Sequence, residues 1–123
     1  MPSDSEADSP AISYFVQTES VYVPDEQYFP VIAIYSDNTF IMTVNLFEGM
    51  STINGTYQVN DNIYSFIVLS RDFEGFLGDA VDSFMMLIIN DGTLEYIGDQ
   101  IGTLMNNDIF ILSENKPISF IEK

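Results

Sequence analysis

The chain contains no cysteine, no histidine and no tryptophan, and only three cationic side chains among its 123 residues. Without cysteine it holds no disulfide, no thiol nucleophile and no thiolate metal site. Without histidine as well, zinc, haem and copper lose their customary ligands. Ser-His-Asp and Cys-His catalysis both need the missing imidazole. Paired carboxylates remain as a route to acid–base chemistry.

The scarcity of positive charge is the second constraint. Arg71, Lys116 and Lys123 stand against 19 carboxylates, for a net charge of −16. Such a surface repels phosphate backbones and anionic lipid heads, which excludes nucleic acid and anionic membrane surfaces as partners. Crowded carboxylates also repel one another. The folded state is therefore expected to hold protons more tightly than the unfolded one, and stability to fall as pH rises through that titration. No apolar run reaches the ~20 residues of a membrane-spanning helix.

What is present suits one folded domain. Hydrophobic residues make up 46% and aromatics 14% of the chain, too much apolar surface for a disordered polymer. A chain of this length buries about two-thirds of its unfolded surface. Residues 1–11 are set apart: they are small and acidic, and they predict a disordered tail. In a secreted or envelope-anchored protein such a tail serves as a tether. Residues 12–123 form the single predicted domain.

From Ile12 onward the chain alternates short runs rich in Val, Ile, Thr, Tyr and Phe with breaks of Asp, Asn and Gly. This is the pattern of strands and tight hairpins. Strands are predicted near 12–18, 30–36, 39–48, 51–59, 63–70, 83–90, 93–98, 101–105 and 109–114. Turns are predicted at Asp37-Asn38, Glu48-Gly49, Asn60-Asp61-Asn62, Asp91-Gly92, Asp99-Gln100 and Asn107-Asp108. Asn54-Gly55 reads as a bulge within a strand. Phe40, Met42, Val44 and Leu46 share one strand face, with Thr39, Thr43 and Asn45 on the other. The run 84–89 is apolar at every position, which predicts cover on both faces, by the N-terminal strand or by a partner. The glycine-broken stretch 72–82 predicts a loop or one-turn lid.

A weak repeat runs through these strands. Val31–Tyr35 with the turn Asp37-Asn38 echoes 85–89 with Asp91-Gly92. Gly55-Thr56-Tyr57 with Asp61-Asn62-Ile63-Tyr64 echoes Gly102-Thr103-Leu104 with Asn107-Asp108-Ile109-Phe110. Two such halves predict an all-β, antiparallel up-and-down meander of about eight strands. Closure into a small barrel, whole or partly open, removes exposed edges. An open sandwich of the same strands is the rival.

The ladder Asp37-Asn38-Thr39-Phe40, Gly55-Thr56-Tyr57, Asp61-Asn62-Ile63-Tyr64 resembles the small lipocalin-like barrels of secreted and lipid-anchored bacterial proteins. The likeness spans about residues 28–114 and lies in the meander pattern. It implies a barrel with a lumen and no catalytic residues.

Four sets of residues are candidates for function. Phe40, Met42, Val44, Tyr57, Phe66, Phe84, Met86 and Tyr96 point inward and would either line a pocket for a small apolar ligand or fill the core. Asp72, Glu74, Asp79 and Asp82 would either wrap a Ca²⁺ ion or form a solvated acidic loop. Arg71 would either clamp a ligand carboxylate or pair with Asp72 or Asp82. Tyr14, Tyr22, Tyr28, Tyr35, Tyr57, Tyr64 and Tyr96 suggest either a recognition surface or ordinary half-buried strand tyrosines.

The expected function is a non-catalytic binding or interaction domain of a secreted or surface-anchored protein, with a protein partner and no required cofactor. The alternative is a lipocalin-like binder of a small apolar ligand in the lumen. An enzyme would have to rely on carboxylate pairs such as Asp72 with Glu74 or Asp79.

Overall fold

A computed structural model describes residues 12–18, 28–75 and 78–121. The acidic tail expected at residues 1–11 lies outside them. Eight strands follow in order: β1 (Ile12–Gln17), β2 (Val31–Tyr35), β3 (Thr39–Asn45), β4 (Met50–Asn60), β5 (Ile63–Arg71), β6 (Ser83–Asn90), β7 (Thr93–Ile97) and β8 (Ile109–Ser113). Each pairs antiparallel with its sequence neighbour, and β1 pairs with β8 from Tyr14↔Ser113 to Gln17↔Phe110. The barrel is closed, so no strand edge is left to aggregate. Closure rules out the open sandwich.

Turn chemistry sets the hairpins. Asn38 and Asp61 adopt φ of 71° and 55°, and Gly92 one of 86°. Asn, Asp and Gly are the residues that tolerate this left-handed region. The three turns lie at one end of the barrel, and each locks onto the next strand. The carbonyls of Asn38, Asn62 and Gly92 accept hydrogen bonds from Tyr57, Ile88 and Leu112. At the opposite end the β3–β4 turn places its positive φ, 76°, on Phe47. The Asn45 side chain holds that turn by accepting the Phe47 N–H at 2.8 Å.

The β4–β5 register shifts between Asn54 and Gly55. A bulge there matches the sequence expectation, with Leu69 of β5 as the extra residue. Gly55 faces β5 so closely that a Cβ would run into the carbonyl of Ile67.

The barrel interior is apolar. Phe15, Ile32, Ile34, Phe40, Met42, Val44, Ile53, Phe66, Val68, Phe84, Met86, Leu94, Tyr96 and Phe110 form its core, each 8% exposed or less.

Three expectations are corrected. Residues 101–105 are not a strand: Ile101 and Leu104 make only an isolated bridge. Gly102 takes φ of 56°, which breaks the extended conformation. Ile101 and Leu104 instead tuck inward, fully buried with Leu46 and Val81, and plug the barrel end opposite the three turns. Second, the repeat fails at this point, because the second half has no strand to match Gly55-Thr56-Tyr57. The eighth strand is the N-terminal one. Third, that N-terminal strand does not cover β6. It lies in the wall between β2 and β8, so Met85 and Ile89 remain 43% and 47% exposed.

A strap that the sequence reading did not foresee covers the other side. Residues 117–121 cross the outside of β1–β3. Ser119 Oγ donates to the Phe29 carbonyl at 2.9 Å, and Ile121 N–H to Thr43 Oγ1 at 2.9 Å. The Phe120 ring meets Tyr14 edge-on at 5.3 Å. Outward-facing Val31, Ala33 and Thr43 on this side are fully buried.

Candidate functional site

Alternation along β3–β7 brings the eight nominated lumen residues together. Seven of them are exposed by 4% or less, and Tyr57 is half-buried at the turn-bearing end. Their rings form a spine across the barrel. Phe66 lies at its centre, 4.9 Å from both Phe40 and Phe84, with Tyr57 and Tyr64 at 5.9 and 5.8 Å. Phe84 continues it to Tyr96 at 5.4 Å. Edge-to-face and offset rings at these spacings are attractive beyond their area. The two phenols anchor opposite ends of the spine. Tyr57 donates to the Tyr35 carbonyl at 2.7 Å, and Tyr96 to the Asp99 carbonyl at 2.5 Å. Burial pushes both phenols above their ordinary range; Tyr64 and Asp37 add to the shift at Tyr57, and Asp99 to that at Tyr96. Side chains in mutual contact fill the space between.

The nominated metal carboxylates are dispersed. Asp72 accepts from Thr52 Oγ1 at 3.0 Å, and Asp79 from the Gly75 N–H at 2.6 Å. Asp82 pairs with Arg71 at 2.9 Å, while Glu74 is exposed. A Ca²⁺ ion wants six to eight converging oxygens. Among the described residues no three acidic side chains gather in that way.

Arg71 reaches the end of β5 and ties the following loop down. Its guanidinium donates to Asp82, to the Val81 carbonyl at 2.9 Å and to the Gly78 carbonyl at 3.4 Å. Three acceptors from one loop make it a clasp for residues 78–82. The tyrosines do not share a surface: Tyr96 is core, Tyr57 and Tyr64 pack on the core, Tyr14 meets the strap, and Tyr28 is 48% exposed. Tyr22 lies outside the described residues.

Asp108 is a carboxylate whose affinity for protons changes in the fold. It sits in the 105–108 turn, where its Oδ2 accepts the Met105 N–H at 2.8 Å. Burial pushes its carboxyl up from 3.8, and the hydrogen bonds from Met105 and the Gln17 side chain oppose the rise without cancelling it. A raised folded-state value means that the native protein binds this proton more tightly than the unfolded chain. The resulting stabilisation is fully present below pH 3.8 and is lost as pH rises through the folded value. Melting temperatures should therefore drop less between pH 4 and pH 7 in Asp108→Asn than in the parent protein. Identical drops would mean that this carboxyl is as well solvated folded as unfolded.

The feature absent from the nominated sets lies outside the barrel. On β5, Ile63, Ile67 and Leu69 face outward with exposures of 37%, 54% and 69%. Met85 and Ile89 do the same on β6, and Ile63 pairs with Leu87 across the two strands. A groove of about 420 Å³ runs along this face. Ser65, Ser83 and Gly98 form its low floor, and Ile67, Met85 and Ile97 its apolar walls. On the far side of the Leu69 ridge, Thr39, Ile41, Asn54 and Thr56 line a second concavity of about 590 Å³. The sequence did carry a signal: residues 63–69 are apolar at both parities except for Ser65, as 84–89 are throughout.

Comparison with protein-family models, with curated proteins and with solved structures finds no match.

Proposed function

We propose that this chain is a non-catalytic interaction module that engages a protein on the outside of a packed β-barrel. The supporting observation is the contiguous apolar face of β5 and β6, five of whose large side chains are 37–69% exposed. Isolated exposed apolar residues are ordinary on protein surfaces, but a contiguous patch flanking a groove marks an interaction site. The lipocalin-like resemblance adds a barrel scaffold to this reading. Its lumen-binding role draws no support from the aromatic spine, which occupies the place a ligand would take.

The test is site-specific photocrosslinking in extract of the native cells. A photoreactive residue at position 69 should give one discrete adduct that saturates with added extract. The same residue at position 118, where Ile118 is 80% exposed on the opposite side, should not give it. No adduct at 69, or the same adducts at both positions, would remove the proposal.

A further inference from the structure

We infer that the β5–β7 face selects a partner with large apolar side chains at its centre and Lys or Arg around them. This inference rests on the interaction-module reading and adds the chemistry of the partner.

The barrel is closed at this point. β5 is paired with both β4 and β6, and β6 with both β5 and β7. No strand edge is open, so a partner cannot add a strand here and must be held by side chains. The groove offers a place for them. Its floor of Ser65, Ser83 and Gly98 is low, and Ile67, Met85 and Ile97 rise on either side. Such a slot takes one or two apolar side chains.

Charge decides what surrounds them. Asp61 and Asp91 stand in the two turns next to Ile63 and Ile89, and both are exposed. Asp82 precedes Ser83 with a side chain 85% exposed, and Asp99 lines the other end of the groove. Glu95 of β7 lies opposite outward-facing Leu87. Acids thus border the apolar face on three sides. Arg71, the cation nearest to it along the chain, already donates to Asp82 and two carbonyls. A second copy of this chain would bring another −16 charges to the contact. Like charges across a docking patch oppose association, whereas a cationic rim is drawn in and correctly oriented.

The test uses three synthetic peptides with the same Phe-Leu centre, flanked by Lys, by Ser or by Glu. Binding is followed by NMR shift mapping and by fluorescence anisotropy on the full chain. The Lys peptide should bind, with shifts concentrated at residues 61–69, 82–91 and 95–99. Ile67 and Met85 are 54% and 43% exposed and would be covered on binding, so I67S and M85S should each weaken binding about threefold or more. I118S should leave it unchanged. Raising salt should weaken it, because exposed charges are screened beyond about 8 Å at physiological ionic strength.

Each other outcome overturns the inference. If the Ser peptide binds the same face as tightly, the face is a docking site without charge selection, and only the partner class fails. If the Lys peptide binds but its shifts spread over the acidic surface and ignore I67S, the attraction is non-specific. If sedimentation shows self-association that I67S abolishes, the occupant is a second copy. If no peptide binds and shifts appear instead at Phe40, Phe66 and Met86 with an apolar small molecule, the interaction-module reading falls with it.

Discussion

Phe66→Ala should lower the unfolding free energy by about 3–5 kcal/mol, the usual cost of removing a fully buried phenylalanine. The upper half of that range applies here. Phe66 is 1% exposed and touches four other rings, Phe40, Phe84, Tyr57 and Tyr64. These neighbours belong to β3, β4, β5 and β6, which are hydrogen-bonded into a closed wall. A closed wall collapses poorly onto a void, so most of the cavity persists. Since small domains have about 5–15 kcal/mol of stability, the variant should sit close to unfolding at room temperature. Urea denaturation followed by circular dichroism would measure it, with the midpoint lowered and the slope unchanged. A loss below about 1 kcal/mol would mean that the ring has little packing to lose. The lumen would then have room, and the small apolar ligand would return as the better function. The experiment thus bears on function as well as on stability.

How much of this was legible in the sequence depends on whether local or distant contacts decide the outcome. Hairpins are local: Asp37-Asn38, Asp61-Asn62 and Asp91-Gly92 announce turns through residues that accept positive φ, and the turns form there. Inward faces are almost local, since alternation in β3, Phe40-Met42-Val44, needs only one strand to read. The plug is different. Ile101-Gly102-Thr103-Leu104 has strand-like residues, and a single Gly-Thr step resembles the one at Gly55-Thr56. The two differ in what lies against them. Gly55 is pressed on the backbone of a paired strand, while Gly102 is turned toward Asn45 and the end of the barrel. No residue within the segment states that difference.

The strap and the outer face were hidden for the same reason. Ser119 and Ile121 bond to residues 90 and 78 positions away, and nothing nearby in sequence reveals those partners. Whether an outward apolar residue is covered depends on where such a tail travels. Ala33 and Ile67 both face out; the first is fully buried and the second is 54% exposed. The sequence shows that two faces are apolar, and only the fold shows which of them is left for another molecule.

Gly102→Ala should cost about 2–5 kcal/mol, from two separable causes. A left-handed backbone costs a non-glycine residue about 1–2 kcal/mol, and Gly102 holds φ at 56°. Forcing extra volume into a packed site costs about 1–3 kcal/mol more. The added methyl would meet the Asn45 carbonyl and approach the Leu46 Cα at 3.0 Å, and both are backbone that no rotamer change can move. That carbonyl also accepts the Thr103 N–H at 2.8 Å, so moving it breaks the bond that seats the plug. Gly49 has nothing within 4 Å of its missing Cβ, so Gly49→Ala serves as the control and should change stability by less than about 0.5 kcal/mol. If both variants melt alike, the plug is not anchored through Asn45. If Gly102→Ala alone loses stability and hydrogen exchange speeds up at Ile101 and Leu104, the plug opens first and the β5–β7 face keeps its shape. Binding at that face should then survive in a protein whose barrel end has come loose.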